Sequence, residues 1–268
     1  MSALLELIKG RKSVRTFDGK TLREEDLKKI EDYSKEIPNP FGIPVRFVLL
    51  DADKNKLSSP VLAGEKLYFA GIVEKKPYAD VAYGYSFEKL VLFAWSLGIG
   101  TVWIGGTMKR EDFEKAAGLQ EGEMMPCISP LGYPAKKRAL KETMMRKGVG
   151  ADSRFPEKKL FFDRTWGNPL NTTDETSNLL EMVRWAPSAV NKQPWRIIFS
   201  DGTWHFYEKK DRGYVNEKTG DLQKIDVGIA LCHFIAGLEE QGKTPVIEIS
   251  DPKIEIPEGV EYIASVRC

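Results

Sequence analysis

Ala186-Pro187-Ser188-Ala189-Val190-Asn191-Lys192-Gln193-Pro194-Trp195 is the stretch whose reading decides the fold. Two prolines, Pro187 and Pro194, bound a stiff loop. Ser188, Asn191 and Gln193 offer donors and acceptors but no charge, a set suited to the polar edge of a planar ring or the hydroxyls of a sugar chain. Its counterpart lies at the other end of the chain. Arg11-Lys12-Ser13-Val14-Arg15 sets three cations and a hydroxyl within five residues, after a short amphipathic helix over 4–8. The guanidinium fork matches phosphate oxygens and Ser13 adds a donor. Taken alone, the second segment reads as a solvated basic patch; the first, whose plain alternative is an ordinary helix-to-strand connection with Trp195 as core, is the more specific because its polar pattern is dense and ordered. Two further segments give them weight.

One is Leu97-Gly98-Ile99-Gly100-Thr101-Val102-Trp103-Ile104-Gly105-Gly106. A buried strand over 101–104 would end in two glycines, which let backbone approach a flat ligand closely. The glycine spacing is not a dinucleotide fingerprint and no phosphate-loop motif occurs. The other is Leu131-Gly132-Tyr133-Pro134-Ala135-Lys136-Lys137-Arg138, a strand end followed by three cations.

Working outward, the chain reads α/β and weakly repeats itself. Pro44, Arg46 and Asp51 recur as Pro194, Arg196 and Asp201, an offset of 150, each set around an apolar strand-like run. Upstream, Thr21-x-x-Glu24 and Thr172-x-x-Glu175 read as capping boxes, offset by 151. Downstream, Gly84 and Gly98 bracket a helix over 85–97, and Gly228 and Gly242 bracket another over 229–241. Strands follow at 101–104 and 245–249, then near 127–131 and 261–266. The order of matches points to duplication, with a first half over 1–148, a second over 149–268 and the join within 147–159. The two bracketed helices are apolar nearly all round, which predicts that they lie at the centre of a long interface between the halves.

Composition narrows the function. Forty Lys and Arg balance 39 Asp and Glu, a formal charge of +1, so there is no electrostatic ground for nucleic acid or an anionic membrane as partner. No apolar run reaches membrane-spanning length and the N-terminus lacks a secretory pattern, so the expectation is a soluble, cytoplasmic protein. Three cysteines and two histidines, none at ligand spacing, argue against a disulfide framework or a metal site. Cys127, Cys232 and His233 read as packed core residues.

The four motifs stand in the order and approximate spacing of the nitroreductase family, which this chain resembles over most of its length. Members carry R-[RH]-S-[VI]-R, A-P-S-x-x-N-x-Q-P-W, L-G-[LI]-G-T-x-W-I-G and G-Y-P followed by basic residues. The nearest resemblance is to the branch in which two nitroreductase-like halves are fused in one chain. It implies an α+β nitroreductase fold, mixed sheets sandwiched by helices, arranged as an internal pseudo-dimer that has no need to dimerise further. It also implies FMN bound between halves, with NADH or NADPH as electron donor and a nitroaromatic or quinone-like acceptor. Carried over, Arg11, Lys12, Ser13 and Arg15 would hold the phosphate and the flavin face or edge, with Lys137 or Arg138 assisting at the phosphate. Pro187, Ser188, Ala189, Asn191 and Gln193 would line the ring and ribityl chain, and Ile104, Gly105 and Gly106 would lie near the reactive nitrogen. No protein acid or base is required. Glu65 and Lys66 fall near the family's central flavin contacts, and Gly105-Gly106 departs from the Glu-Gly common in members.

The halves depart from each other in complementary ways. Ser188, Asn191 and Gln193 correspond to Pro38, Phe41 and Ile43, and the basic motif corresponds to Phe162-Asp163-Arg164-Thr165-Trp166. One pair of motifs survives, which predicts one flavin per chain. The alternative is a non-enzymatic flavin-binding or regulatory protein on the same fold. A different flavin chemistry, such as dehalogenation or flavin fragmentation, would need a substrate-covering insertion, for which 53–77 is the undistinguished candidate.

Overall fold

A computed structural model describes residues 2–268. In chain order the elements are α1 (Ala3–Gly10), α2 (Glu24–Lys35), β1 (Val45–Asp51), α3 (Ala52–Asn55), β2 (Leu67–Glu74), α4 (Ala79–Ser96), α5 (Arg110–Ala117), β3 (Glu123–Met124), β4 (Ile128–Leu131), α6 (Leu140–Gly148), β5 (Phe161–Asp163), α7 (Asp174–Arg184), β6 (Trp195–Ser200), β7 (Thr203–Lys209), β8 (Val215–Asn216), β9 (Gly220–Asp221), α8 (Leu222–Glu240), β10 (Val246–Glu248) and β11 (Val260–Arg267).

The first sheet has β2 at its centre, antiparallel to β1, β3 and β4, with Val45 opposite Val73 and Leu67 opposite Leu131. The second runs β10-β11-β7-β6-β5; only the β5–β6 pair is parallel. The first sheet draws on residues up to Leu131 and the second on residues from Phe161. Helix α4 packs on the first sheet, α8 on the second, and the two helices pack on each other. Both are therefore buried on every side, which explains why neither carries a polar stripe.

The crossing of α4 and α8 is set by glycine. A Cβ on Gly84 would lie 2.0 Å from the Ile225 carbonyl oxygen, and one on Gly228 would lie 2.2 Å from that of Val81. Gly84 and Gly228 are 144 positions apart, and so are Val81 and Ile225. The contact is thus reciprocal, as in a two-fold interface where i meets j and j meets i.

Several sequence expectations shift. The two long helices begin at Ala79 and Leu222, earlier than 85 and 229, so Gly84 and Gly228 lie inside them rather than at their starts. Gly98 and Gly242 do follow the ends, each at φ +75°, the left-handed geometry that glycine adopts freely. The box expected at Thr172 and Glu175 forms one residue later, between Thr173 and Thr176. The box at Thr21 is not made: α2 is preceded by Arg23, whose side chain instead donates to Asp26. The strand expected over 101–104 is reduced to single bridges, Ser13 to Thr101 and Ile104 to Ile128, because the chain bends between two different partners. The stretch 53–77 is α3, β2 and their connection, not a covering insertion.

Candidate functional site

The Arg11–Arg15 segment leaves the end of α1 extended. Val14 N donates to Thr101 O at 2.9 Å and Ala63 N donates to Arg15 O at 2.9 Å. Val14 is buried against Gly100, where a Cβ would meet the valine at 2.8 Å. Helix α6 docks onto the same segment through Glu142, whose Oε2 accepts from Arg15 N at 3.3 Å and Thr16 Oγ1 at 2.8 Å. Arg146, one helical turn later, shares the face of Glu142 and is carried to the site.

The 187–193 loop is held from three directions. Ala189 N donates to both Asp226 carboxylate oxygens at 3.1 Å. Asn191 Nδ2 donates to Gly150 O at 2.8 Å. Ser188 Oγ accepts from Gln193 N at 2.9 Å. Val190, Asn191 and Gln193 all have positive φ, at 50°, 56° and 48°. For β-branched Val190 that is a strained state, held only because its neighbours are tied down.

These segments meet around one cavity of about 380 Å³, within the size range of small-molecule sites. The first half contributes Arg11, Lys12, Ser13 and Arg15, with Ile104, Gly105 and Gly106 on another wall. The second contributes Pro187, Ser188, Ala189 and Asn191. Three expected residues lie elsewhere. Gln193 is buried behind the loop, its Oε1 accepting from Phe155 N at 2.9 Å. Lys137 and Arg138 are exposed, and Arg138 sits 3.7 Å from Glu142. The chain stays beside Thr16 after Pro134, through Ala135 N and Ala139 N, but the cations that line the cavity next to Arg11 are Arg146 and Arg154. Glu65 and Lys66 pair with Tyr68 and Asp53, also away from the cavity.

One end of the cavity is cationic and short of partners. Arg11 is 8% exposed, yet its Nε and NH1 make no hydrogen bond, nor does Arg154 Nε. Burial pushes the Arg11 guanidinium down, Glu88 opposes this and Arg146 adds to it. Arg154 is pushed down to about 10 by burial, then by Arg11 and Arg184. Like charges gathered out of water with donors unused describe a receptor for an anion. Trp103 belongs to this end, its Nε1 donating to Glu88 Oε2 at 3.0 Å; the other end is apolar, with Val102, Leu222, Ile225 and Ile229. Cys127 is there too, its thiol pushed up to about 12 by burial and therefore inert.

The Gly105-Gly106 turn lies beside Cys127 and Leu222. Arg110 pins it by donating to Gly105 O at 2.6 Å. Neither glycine has positive φ, and a Cβ on Gly106 would meet nothing within 4 Å. The protein itself does not require glycine at 106.

Sequence reasoning missed Glu88, Asp226, Arg110, Arg146 and Arg154. The available signal was an acid set among apolar residues away from the ends of each helix, Glu88 in α4 and Asp226 in α8. Asp226 is 4% exposed, and its carboxyl is raised well above the usual range by burial, only partly offset by the Ala189 N–H. A raised folded-state value means that stability is lost as pH rises from the ordinary carboxylate range through the raised one. Asp226→Asn keeps an acceptor for Ala189 without the charge. Urea midpoints of variant and parent are therefore expected to differ most at pH 8, the variant being the more stable, and to draw together toward pH 4. A gap that does not change with pH would mean that Asp226 is ionised at no cost.

Among the described residues no helix is long and apolar enough to cross a membrane, and no group of three or more His, Cys, Asp or Glu could hold a metal. The two-sheet architecture with paired central helices is the fold of the nitroreductases: a solved structure from Thermotoga maritima, described as a putative nitroreductase, aligns with a TM-score of 0.62 at 22% identity, covering 99% of this chain and 93% of that one. The chain belongs to the family described as "Putative TM nitroreductase", which matches residues 3–238. A nitroreductase family protein from Clostridium difficile aligns over 58% of this chain and 94% of its own, at 19% identity and a TM-score of 0.45. "Putative NAD(P)H nitroreductase acg" of Mycobacterium tuberculosis is 33% identical over 78 residues, 29% of this chain; the match spans 24% of that relative's length.

Proposed function

We propose that the cavity binds FMN and that the chain is an oxidoreductase taking hydride from NADH or NADPH and passing electrons to a small acceptor, nitroaromatic or quinone-like. The observation that carries this is the buried Arg11 guanidinium with two unpartnered nitrogens in a cavity cationic at one end and apolar at the other. FMN has that polarity, a phosphate on a sugar-alcohol chain leading to a flat ring.

Arg11, Lys12, Ser13, Arg146 and Arg154 would hold the phosphate, and Pro187, Ser188, Ala189 and Asn191 would flank the chain and ring. Bound flavin supplies the hydride and electron chemistry. The residues bind, orient and exclude water; Leu222, Ile225 and Ile229 keep the ring end dry. Gly105 and Gly106 offer backbone amides beside the ring, in a turn that Arg110 holds. Each wall comes from a different half, so we read the chain as a fused pseudo-dimer, divided near 148, that works as a monomer with one flavin. In the first half, Ile43 is buried and Phe41 packs against the core where the polar loop residues would stand.

The test is an FMN titration of purified protein followed by NADH or NADPH oxidation with added acceptor. We expect saturation at one FMN per chain and turnover. Gly106→Ala should unfold within about 0.5 kcal/mol of the parent, since its methyl meets no protein atom. It should bind FMN at least about tenfold more weakly, since the methyl enters the ring's space. Binding without turnover would leave a flavin-binding protein; no binding would end the proposal.

A further inference from the structure

Glu88 and His233 meet across the α4–α8 interface, and both are wholly buried. His233 Nδ1 lies 2.9 Å from the Met182 carbonyl oxygen. A carbonyl only accepts, so Nδ1 carries a hydrogen. His233 Nε2 lies 3.0 Å from Glu88 Oε1. A bare ring nitrogen and a carboxylate oxygen would face each other with lone pairs at that distance, so one proton lies between them. Whichever atom holds it, the pair is neutral as a unit. Glu88 Oε2 is also occupied, accepting from Trp103 Nε1 at 3.0 Å.

The remaining neighbour of Glu88 is Arg11, whose Nε stands 3.8 Å from Oε1, beyond hydrogen-bond reach. At first sight Glu88 is the counter-ion of Arg11. The charge count weakens that pairing: the carboxylate shares a proton with His233, so it opposes the cost of burying Arg11 only in part. The guanidinium is left with its full charge and with Nε and NH1 unused. The three groups come from three parts of the chain: the α4–α8 crossing joins Glu88 to His233, and the packing of α1 on both helices brings Arg11.

We propose that His233 is a positioning residue of the anion end of the cavity: by sharing a proton with Glu88 it cancels that carboxylate and reserves the charge of Arg11 for a phosphate group. This rests on the reading of the cavity as a site for a phosphate-bearing flavin. Without the shared proton, Glu88 is a bare carboxylate beside Arg11 and draws the guanidinium away from the cavity. His233 touches no ligand; it acts through Glu88 on Arg11.

The proposal concerns the phosphate alone, so the readout is the affinity for FMN relative to riboflavin, which lacks it. His233→Leu is expected to lower that preference at least about tenfold, the worth of one charge-assisted hydrogen bond. Adding Glu88→Gln to His233→Leu removes the unbalanced carboxylate and is expected to restore the preference, although the packing defect at 233 remains. A purely structural role for His233 predicts no such rescue.

Glu88→Gln alone decides the matter if the leucine variant does not fold. Its oxygen can accept from Trp103 while its amide donates to a neutral His233. The shared-proton account predicts a change in FMN preference of under about threefold; removal of a true counter-ion would raise it about tenfold or more. Inorganic phosphate, read by thermal shift, separates this proposal from the flavin reading. Should the parent bind neither flavin, stabilisation by phosphate in the parent but not in His233→Leu would sustain the proposal while the flavin reading falls. A His233→Leu protein that keeps its FMN preference or its phosphate response, or a parent that responds to no anion, overturns it.

Discussion

Replacing Arg11 with methionine is expected to abolish FMN binding while leaving the protein at least as stable as before. The two effects have one cause. In the folded chain the guanidinium is buried, pushed down by burial and by Arg146, and two of its nitrogens have no partner. A buried charge without good partners is a liability, and replacing such groups with apolar ones of similar volume is often neutral or stabilising by about 1–4 kcal/mol. Methionine is long and adaptable enough to fill the space. Glu88 is not stranded by the change, because Trp103 and His233 still satisfy it. Binding moves the other way. Two charge-assisted bonds to a phosphate, at about 1.5–3 kcal/mol each, amount to about 3–6 kcal/mol, or about two to four orders of magnitude in affinity. Calorimetric melting with and without FMN checks both. The parent should melt higher when FMN is added, and the variant should melt at or above the flavin-free parent and ignore FMN. A variant that melts several degrees lower and still responds to FMN would show that Arg11 serves the fold.

What could be read in the sequence follows from the range of the interactions. Ser188, Asn191 and Gln193 reveal a ligand-edge loop because two prolines and a dense polar pattern are local. The same reading could not say that Gln193 turns inward to Phe155 N, since that depends on a residue 38 positions away. Lys137 and Arg138 follow a strand end and look poised for an anion. Arg146 lines the cavity and they do not, because Glu142, one turn before it, is the group that docks α6. Charges inside apolar helices are the hardest case. Glu88 and His233 lie 145 positions apart, and nothing in either segment names the other. The second capping expectation failed by less: Thr172 and Thr173 are adjacent, and only the chain's path picks between them. Gly84 and Gly228 read as helix starts from their spacing alone, whereas the structure puts them inside the helices, at the crossing.

That crossing gives the second large effect. Gly84→Ala and Gly228→Ala are each expected to destabilise the protein by at least about 3 kcal/mol, at the upper end of overpacking costs. Two opposing terms decide the sign. Glycine inside a helix gives up roughly 1 kcal/mol relative to alanine, so on propensity alone both changes would stabilise. Against this, the new methyls would stand 2.0 Å from the Ile225 carbonyl oxygen and 2.2 Å from that of Val81. Backbone cannot step aside as a side chain does, so α4 and α8 must separate along their length. Gly148→Ala is the internal control: it too lies in a helix, but its Cβ would meet nothing within 4 Å. That change is expected to be neutral or to stabilise by up to about 1 kcal/mol. Because the two clashes belong to one reciprocal contact, a single separation of the helices relieves both. The double variant should therefore cost clearly less than the two singles together, a coupling that urea unfolding in a double-mutant cycle measures directly. FMN affinity should fall in all three crossing variants, since Ile225 and Ile229 of α8 line the cavity and Glu88 of α4 stands behind Arg11. Strict additivity, or singles no less stable than Gly148→Ala, would mean that the halves are not held by this crossing.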